Sequence, residues 1–137
     1  MTAFLLDTCA AIFLVGDAPM ERQAVEAINA SAAGSEPLQV SPITAWEIGL
    51  LAAKGRFTSS LSPQRWFERL HSAPGIQLAD LTPDMLIASS FLPGDLHRDP
   101  ADRIIVATAR ELGLTLITRD RALLDYAANG HLSALEC

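Results

Sequence analysis

Short apolar runs alternate with longer stretches in which apolar residues recur every three or four positions. The short runs, Ala3 to Leu6, Leu38-Gln39-Val40-Ser41, Ile76 to Ala79, Leu114 to Thr118 and Ser133 to Glu136, have the length of strands. The longer stretches predict helices over Thr8 to Val15, Met20 to Ser31, Ile43 to Ala53, 63 to 71, Pro83 to Phe91, Pro100 to Leu112 and 121 to 128. Punctuation agrees with this reading. Pro42 suits a first helical turn, Gly55 and Gly113 suit helix ends, Thr82 suits a cap, and Pro93-Gly94 breaks the pattern. Residues 32 to 37, Ala-Ala-Gly-Ser-Glu-Pro, read as a loop.

Strands that alternate with helices predict an α/β fold, an α/β/α sandwich with a largely parallel central sheet covered on both faces. A chain of 137 residues without internal repeats is one domain, 1–137, large enough to bury a core unaided. In such sheets, sites form beyond the carboxyl ends of the strands, where helix amino termini also gather.

Composition narrows the function. Half the residues are hydrophobic and the formal net charge is −6, which argues against broad salt-driven adhesion to nucleic acid. A metal ion and a few local arginines can still supply positive charge at one site. Two cysteines, Cys9 and Cys137, make neither a disulfide framework nor a zinc site, so a reducing cytoplasmic setting is expected. The apolar start lacks a basic leader and is interrupted by Asp7, which argues against a secretory signal, and no run approaches a membrane span.

The acids carry the candidate chemistry, although each also has a structural use. Asp7, Asp99 and Asp120 each precede a predicted helix, as a cap would. Asp102 falls in a first turn, where the helix dipole favours it. Glu47 completes a Thr44-x-x-Glu47 pattern like a capping box, but Ser41-Pro42 is the better start and puts Glu47 inside its helix. Together, Asp7, Glu47, Asp102 and Asp120 are expected near one edge of a parallel sheet. Like charges gathered there raise one another's pKa and cost stability unless something neutralises them, and Mg²⁺ or Mn²⁺ suits oxygen ligands of this kind.

Several blocks carry a resemblance. Asp7 after a first hydrophobic strand, Trp46-Glu47 in an early helix, His97-Arg98-Asp99-Pro100-Ala101-Asp102-Arg103 leading into Ile104 to Ala109, and Leu116-Ile117-Thr118-Arg119-Asp120 together resemble the PIN-domain family, most closely the VapC-type toxins of bacterial toxin–antitoxin pairs. The resemblance implies a compact α/β/α fold, a metal-dependent endoribonuclease, a homodimer and inhibition by a cognate antitoxin. It places the acidic pocket at Asp7, Glu47, Asp102 and Asp120, with Asp7 and Asp102 as the direct ligands of Mg²⁺ or Mn²⁺. Asp99 is either a further member or the cap that shapes the pocket, and Asp102 is favoured as the ligand. The chain departs from the family pattern at Cys9, where many members carry Asn or Ser; a small buried thiol there needs no function.

Other residues near the acids have two readings each. Thr118 is either a hydrogen-bond donor to a pocket acid or phosphate, or a buried strand threonine. Arg98, Arg103, Arg119, Arg121 and His97 either contact RNA phosphates or serve as solvated or paired side chains. Trp46 and the Trp66-Phe67 pair, at helical spacing among Ile and Leu, are expected in the core or at a dimer interface rather than stacked on RNA bases, and the resemblance implies that apolar surface on helices 43 to 53 and 63 to 71 receives an antitoxin segment. Rival functions are a haloacid-dehalogenase-like phosphatase, which needs an acid where Cys9 stands, and a receiver-like domain, which needs a lysine facing the acids. The single lysine, Lys54, is expected at the wrong end of its helix for that. A non-catalytic protein-binding domain would leave the acids as caps alone.

Overall fold

The computed structural model describes residues 3–34 and 36–137; Met1, Thr2 and Ser35 lie outside the described residues, and with Ser35 part of the loop expected at 32–37. β1 (Phe4–Leu6) is followed by α1 (Thr8–Val15) and α2 (Arg22–Ala32), and β2 (Leu38–Val40) by α3 (Pro42–Ala53) and α4 (Pro63–His71). β3 (Ile76–Leu78) leads to α5 (Pro83–Ala88) and α6 (Pro100–Leu112), and β4 (Thr115–Thr118) to α7 (Arg121–Ala128) and β5 (Ala134–Glu136). The strand order is β3-β2-β1-β4-β5 and every pairing is parallel. Each return therefore crosses over through at least one helix, as parallel neighbours require.

Alternation along the two central strands builds two cores. Leu6 and Ile117 pack with Ala10, Val40, Ile48, Trp66 and Leu70 on one face of the sheet. Leu5 and Leu116 pack with Ile105, Val106, Leu123 and Tyr126 on the other. Successive side chains on a strand point to opposite faces, so β1 and β4 need apolar residues at consecutive positions. The sheet is thus covered on both sides, as the sequence predicts.

Four helices begin with the same chemical pair, an oxygen-bearing cap followed by proline. Ser41, Ser62, Thr82 and Asp99 accept hydrogen bonds from the backbone N–H of Ile43, Arg65, Met85 and Asp102, and the prolines at 42, 63, 83 and 100 occupy first-turn positions that need no donor. Gly113 ends α6 in the left-handed region at φ 66°, which a Cβ would disfavour. Gly75 (φ 80°) opens β3, and a Cβ there would lie 2.7 Å from the Ala32 backbone, so only glycine fits between α2 and the sheet.

Two expectations are corrected here. The helix predicted over Pro83 to Phe91 stops at Ala88, because the Ser89 hydroxyl turns back onto the Leu86 carbonyl and the chain enters a turn, leaving Phe91 80% exposed. Arg103 and Arg119, weighed as RNA contacts, instead bind backbone carbonyls. Arg119 donates to Cys137 and Pro19 at 2.7 and 2.8 Å and lies over the Phe13 ring.

Arg103 determines where the most characteristic acids sit. Its Nε donates to the Ser89 carbonyl at 2.8 Å, and Nη1 to the carbonyls of Leu96 and His97 at 3.0 and 3.3 Å. It thereby ties the irregular segment before α6, which carries His97 and Asp99, to the helix that carries Asp102. The Tyr126 hydroxyl donates to the Pro93 carbonyl in the same segment. Charged hydrogen bonds of this kind contribute about 1.5–3 kcal/mol each, and an orphaned carbonyl costs more than a neutral one. Arg103→Met is expected to lower unfolding free energy by about 2–4 kcal/mol at unchanged m-value in urea, and to speed amide exchange across 89–98. A loop as protected as in the parent protein would refute this role.

Candidate active site

The parallel register brings the ends of the central strands level. Leu6 is paired with Val40 and with Ile117, so Asp7, Ser41 and Thr118 follow at one edge. The Asp7 N–H donates to the Ile117 carbonyl at 3.1 Å, which pins this level. β1 and β4 are neighbours although the chain leaves β1 toward β2, so the point where strand order reverses lies between them.

Asp7 is 3% exposed. It caps α1: one oxygen accepts from the Ala10 N–H at 2.7 Å and the other from the Thr118 hydroxyl. Burial pushes its pKa up to about 6, against the pull of the Thr118 and Ala10 hydrogen bonds, and Asp120 and Glu47 raise it further. Thr118 is the hub of this corner, since its hydroxyl donates to Asp7 while accepting from the Asp120 N–H at 3.0 Å. Both readings offered for Thr118 hold: it is a buried strand threonine and a donor to a pocket acid.

Glu47 sits inside α3, whose cap is Ser41 rather than Thr44. It accepts from the Thr8 hydroxyl, which in turn lies 3.0 Å from the Thr44 hydroxyl. Burial raises the Glu47 pKa, the Thr8 hydrogen bond lowers it and Asp99 raises it. Asp102 occupies the first turn of α6, and its pKa is pushed up to about 7, mainly by burial and then by Asp99, Asp120, Glu47 and Asp7. Its facing neighbour is His97, with Nε2 3.3 Å from Asp102 Oδ2. Asp99 caps α6 by accepting from the Asp102 N–H at 3.0 Å, and its own N–H donates to His97 Nδ1 at 3.3 Å. Asp120 caps α7 through the Leu123 N–H at 3.2 Å.

All four predicted site acids, Asp7, Glu47, Asp102 and Asp120, line one cavity of about 450 Å³ together with Asp99. Thr8, Cys9, Trp46, Lys54 and Arg56 complete much of its wall. His97, Asp102 and Asp120 form a set of possible metal donors among the described residues, with ligand atoms within 4.8 Å of one another. Asp7 stands outside that set, with both oxygens already accepting hydrogen bonds. The donors are mostly hard carboxylate oxygens in a negative cavity, which fits a small divalent cation. A second cavity, about 310 Å³, lies at the opposite strand ends against Leu38 and Ile76 and is lined mainly by apolar residues, with Arg69 and Ser31 among them.

The site differs from expectation at three residues. Cys9 is exposed at the cavity rather than buried, and its partly covered thiol is pushed up to about 11 by burial and by the acids around it, so it stays protonated. Trp46 is 52% exposed on the cavity wall, whereas Trp66 is core. Lys54 also lines the cavity, although its place at the end of α3 suggested otherwise. Thr8 and Arg56 were not anticipated at all. Thr8 is flagged only by following Asp7 directly, and nothing in sequence marks Arg56. Arg121 is held by Glu136 at 3.4 Å.

Among the described residues, no helix is long and apolar enough to cross a membrane. The chain is 33% identical over 126 residues to Ribonuclease VapC22 of Mycobacterium tuberculosis strain ATCC 25618 / H37Rv, covering 92% of this chain and 93% of that protein. Its fold is similar to that of VapBC2 from Rickettsia felis, solved bound to a DNA fragment from the promoter, with TM-score 0.71, 15% identity and 98% of each chain covered. It is also similar to a toxin–antitoxin complex from Klebsiella pneumoniae, with TM-score 0.59, 26% identity, and 96% and 95% of the two chains covered. The family model described as PIN domain matches residues 4–129. With this architecture, and with its acids gathered where the strand order reverses, the chain belongs to the PIN-domain family.

Proposed function

We propose that the protein is a divalent-metal-dependent endoribonuclease, the toxin of a VapBC-type toxin–antitoxin pair. The observation that carries this reading is the convergence of five carboxylates on one cavity, with Asp7 and Asp102 raised to about 6 and about 7 by burial and mutual repulsion. The ribonuclease named at 33% identity and the toxin–antitoxin complexes of the same fold support it.

Asp7 and Asp102 would hold Mg²⁺ or Mn²⁺, with Asp120 beside Asp102 and Glu47 on the same cavity wall. When bound, such an ion supplies positive charge to the phosphate oxygens and acidifies a water. Ala10 and Thr118 fix the Asp7 carboxylate in one orientation, and Thr8 does the same for Glu47. Glu47, held by a single hydroxyl, has capacity left to accept the proton released when a water oxygen attacks phosphorus and the ribose oxygen departs. A positioned carboxylate base contributes about 10²–10⁴-fold to such a step. A cognate antitoxin and a second copy of this chain are the partners the reading includes.

Purified protein incubated with structured RNA is expected to cleave it with Mg²⁺ or Mn²⁺, to stop with chelator, and to leave a colorimetric phosphomonoester untouched. Asp7→Asn and Asp102→Asn should each remain folded and lose cleavage by at least about 100-fold. Full cleavage by the folded double variant would reject the site.

The same acids set a pH dependence. Asp7 and Asp102 ionise at higher pH in the folded chain than in the unfolded one, so the unfolded state releases their protons first. Their contribution to stability is whole below about pH 4 and is lost as pH rises through about 6 and about 7. Metal-free protein should therefore lose stability between pH 4 and 7.5, and Mg²⁺ or Mn²⁺ should restore it at pH 7.5 by binding the native state. Asp102→Asn should stabilise the metal-free protein at pH 7.5 by about 1–3 kcal/mol and abolish the metal-induced rise in Tm. Calorimetry across this range checks both signs; a Tm indifferent to saturating metal would count against the pocket.

A further inference from the structure

We propose that the α3 wall of the cavity is a track for single-stranded RNA, on which the Trp46 indole stacks a base beside the carboxylates and Lys54 and Arg56 hold phosphates farther along. This rests on the endoribonuclease reading and says how substrate reaches that site.

Three observations converge. Trp46, Leu50 and Lys54 stand at i, i+4 and i+8, so they form one stripe about 12 Å long on the helix that carries Glu47. All three are exposed, and all three line the acidic cavity. The indole is half in water with no ring or cation partner among the described residues, whereas Trp66 is buried edge-on against Phe57. A large flat apolar surface at the lip of an acidic cavity is the form that base stacking takes, and stacking is indifferent to sequence because every base has a π-face.

Charge identifies the occupant. A chain of net charge −6 with five acids in its cavity repels phosphate unless cations line the approach. Arg103, Arg110 and Arg119 are committed to backbone carbonyls, Arg22 and Arg121 pair with acids at the surface, and Arg65, Arg69 and Arg98 line other cavities. Lys54 and Arg56 form no ion pair among the described residues, and they stand on the cavity wall. Two open cations continuous with an exposed indole match a phosphate–base–phosphate chain better than an apolar protein segment. The strand must be single, because a base lying on the indole cannot also be stacked and paired in a duplex.

The test is the binding of a short fluorescein-labelled RNA of random sequence in chelator, followed by polarisation across a salt series, with circular dichroism confirming that each variant is folded. Single-strand binding weakens with a slope of about −0.7 in log K against log salt for each phosphate neutralised. Lys54→Ala/Arg56→Ala should flatten the slope by about 1.4, whereas Arg22→Ala leaves it unchanged. Trp46→Ala should weaken binding about 5- to 100-fold, with much of the loss rescued by Trp46→Phe. Absence of binding by the parent protein, or parent-like slope and affinity in both variants, overturns the track; the latter is also the result expected if the face serves a protein partner instead. Cleavage of total RNA by the parent protein with Mg²⁺ or Mn²⁺ is read separately. If the parent cleaves and the variants bind normally, only the track is rejected. If the parent binds with the expected variant effects yet never cleaves, the nuclease reading fails while the track stands.

Discussion

The crowding of carboxylates at the point where strand order reverses is the constraint on which this molecule's site depends. Each pKa unit corresponds to about 1.4 kcal/mol, so holding both Asp7 and Asp102 ionised near neutral pH costs several kcal/mol in the protein alone. The helix amino termini that face the acids return less. A helix dipole offers an exposed anion about 0.3–1 kcal/mol and a partly buried one up to about 2, and α1, α6 and α7 are the ones with an aspartate cap. Hydrogen bonds from Ala10 and Thr118 lower the cost at Asp7 without removing it. A countercharge of higher valence is what the remaining deficit calls for, and hard oxygen donors select its type.

Capping and chemistry are the same interaction seen from two sides. Asp7, Asp99 and Asp120 each spend one oxygen on a backbone N–H of the following helix. That bond fixes the side chain's rotamer and aims its second oxygen. A strand-to-helix turn without such a cap would leave the carboxylate free to swing into water, away from its neighbours. Thr118 makes the arrangement cooperative, since one hydroxyl orders Asp7 and the backbone of Asp120 at once. The bland and functional readings of these acids are therefore not rivals: the caps are how the site is assembled.

This double use explains what was legible in sequence. Strands and helices could be placed because four of the helix starts carry their own chemical mark, Ser-Pro, Thr-Pro or Asp-Pro, and because β1 and β4 carry the continuous apolar residues of a sheet covered on both faces. The expected convergence of Asp7, Glu47, Asp102 and Asp120 followed from parallel topology alone. Side chains whose place depends on tertiary packing were not legible. Trp46 and Trp66 both sit at helical spacing among aliphatic residues, yet one faces the cavity and the other the core. Arg103 shows no pattern that distinguishes a carbonyl hook from a phosphate contact. The tie from Arg103 to the carbonyl of Ser89, the residue that follows α5, is of the same kind, since it joins positions fourteen residues apart.

The distribution of arginines connects the fold to the electrostatics of the site. Arg103 and Arg119 spend their charge on carbonyls that flank the acidic corner, near the segment before α6 and at the chain end beside β4. A guanidinium bound in this way braces the backbone that carries His97, Asp99 and Asp120 with a rigid fork that lysine could not supply. Neither arginine is among the residues that wall the cavity, so neither neutralises it. Had these cations turned inward as partners of Asp7 or Asp102, the carboxylates would have been lowered rather than raised, and an added cation would gain little. The pocket's capacity for a metal ion thus depends on bracing cations held close enough to order the acids and directed away from their oxygens.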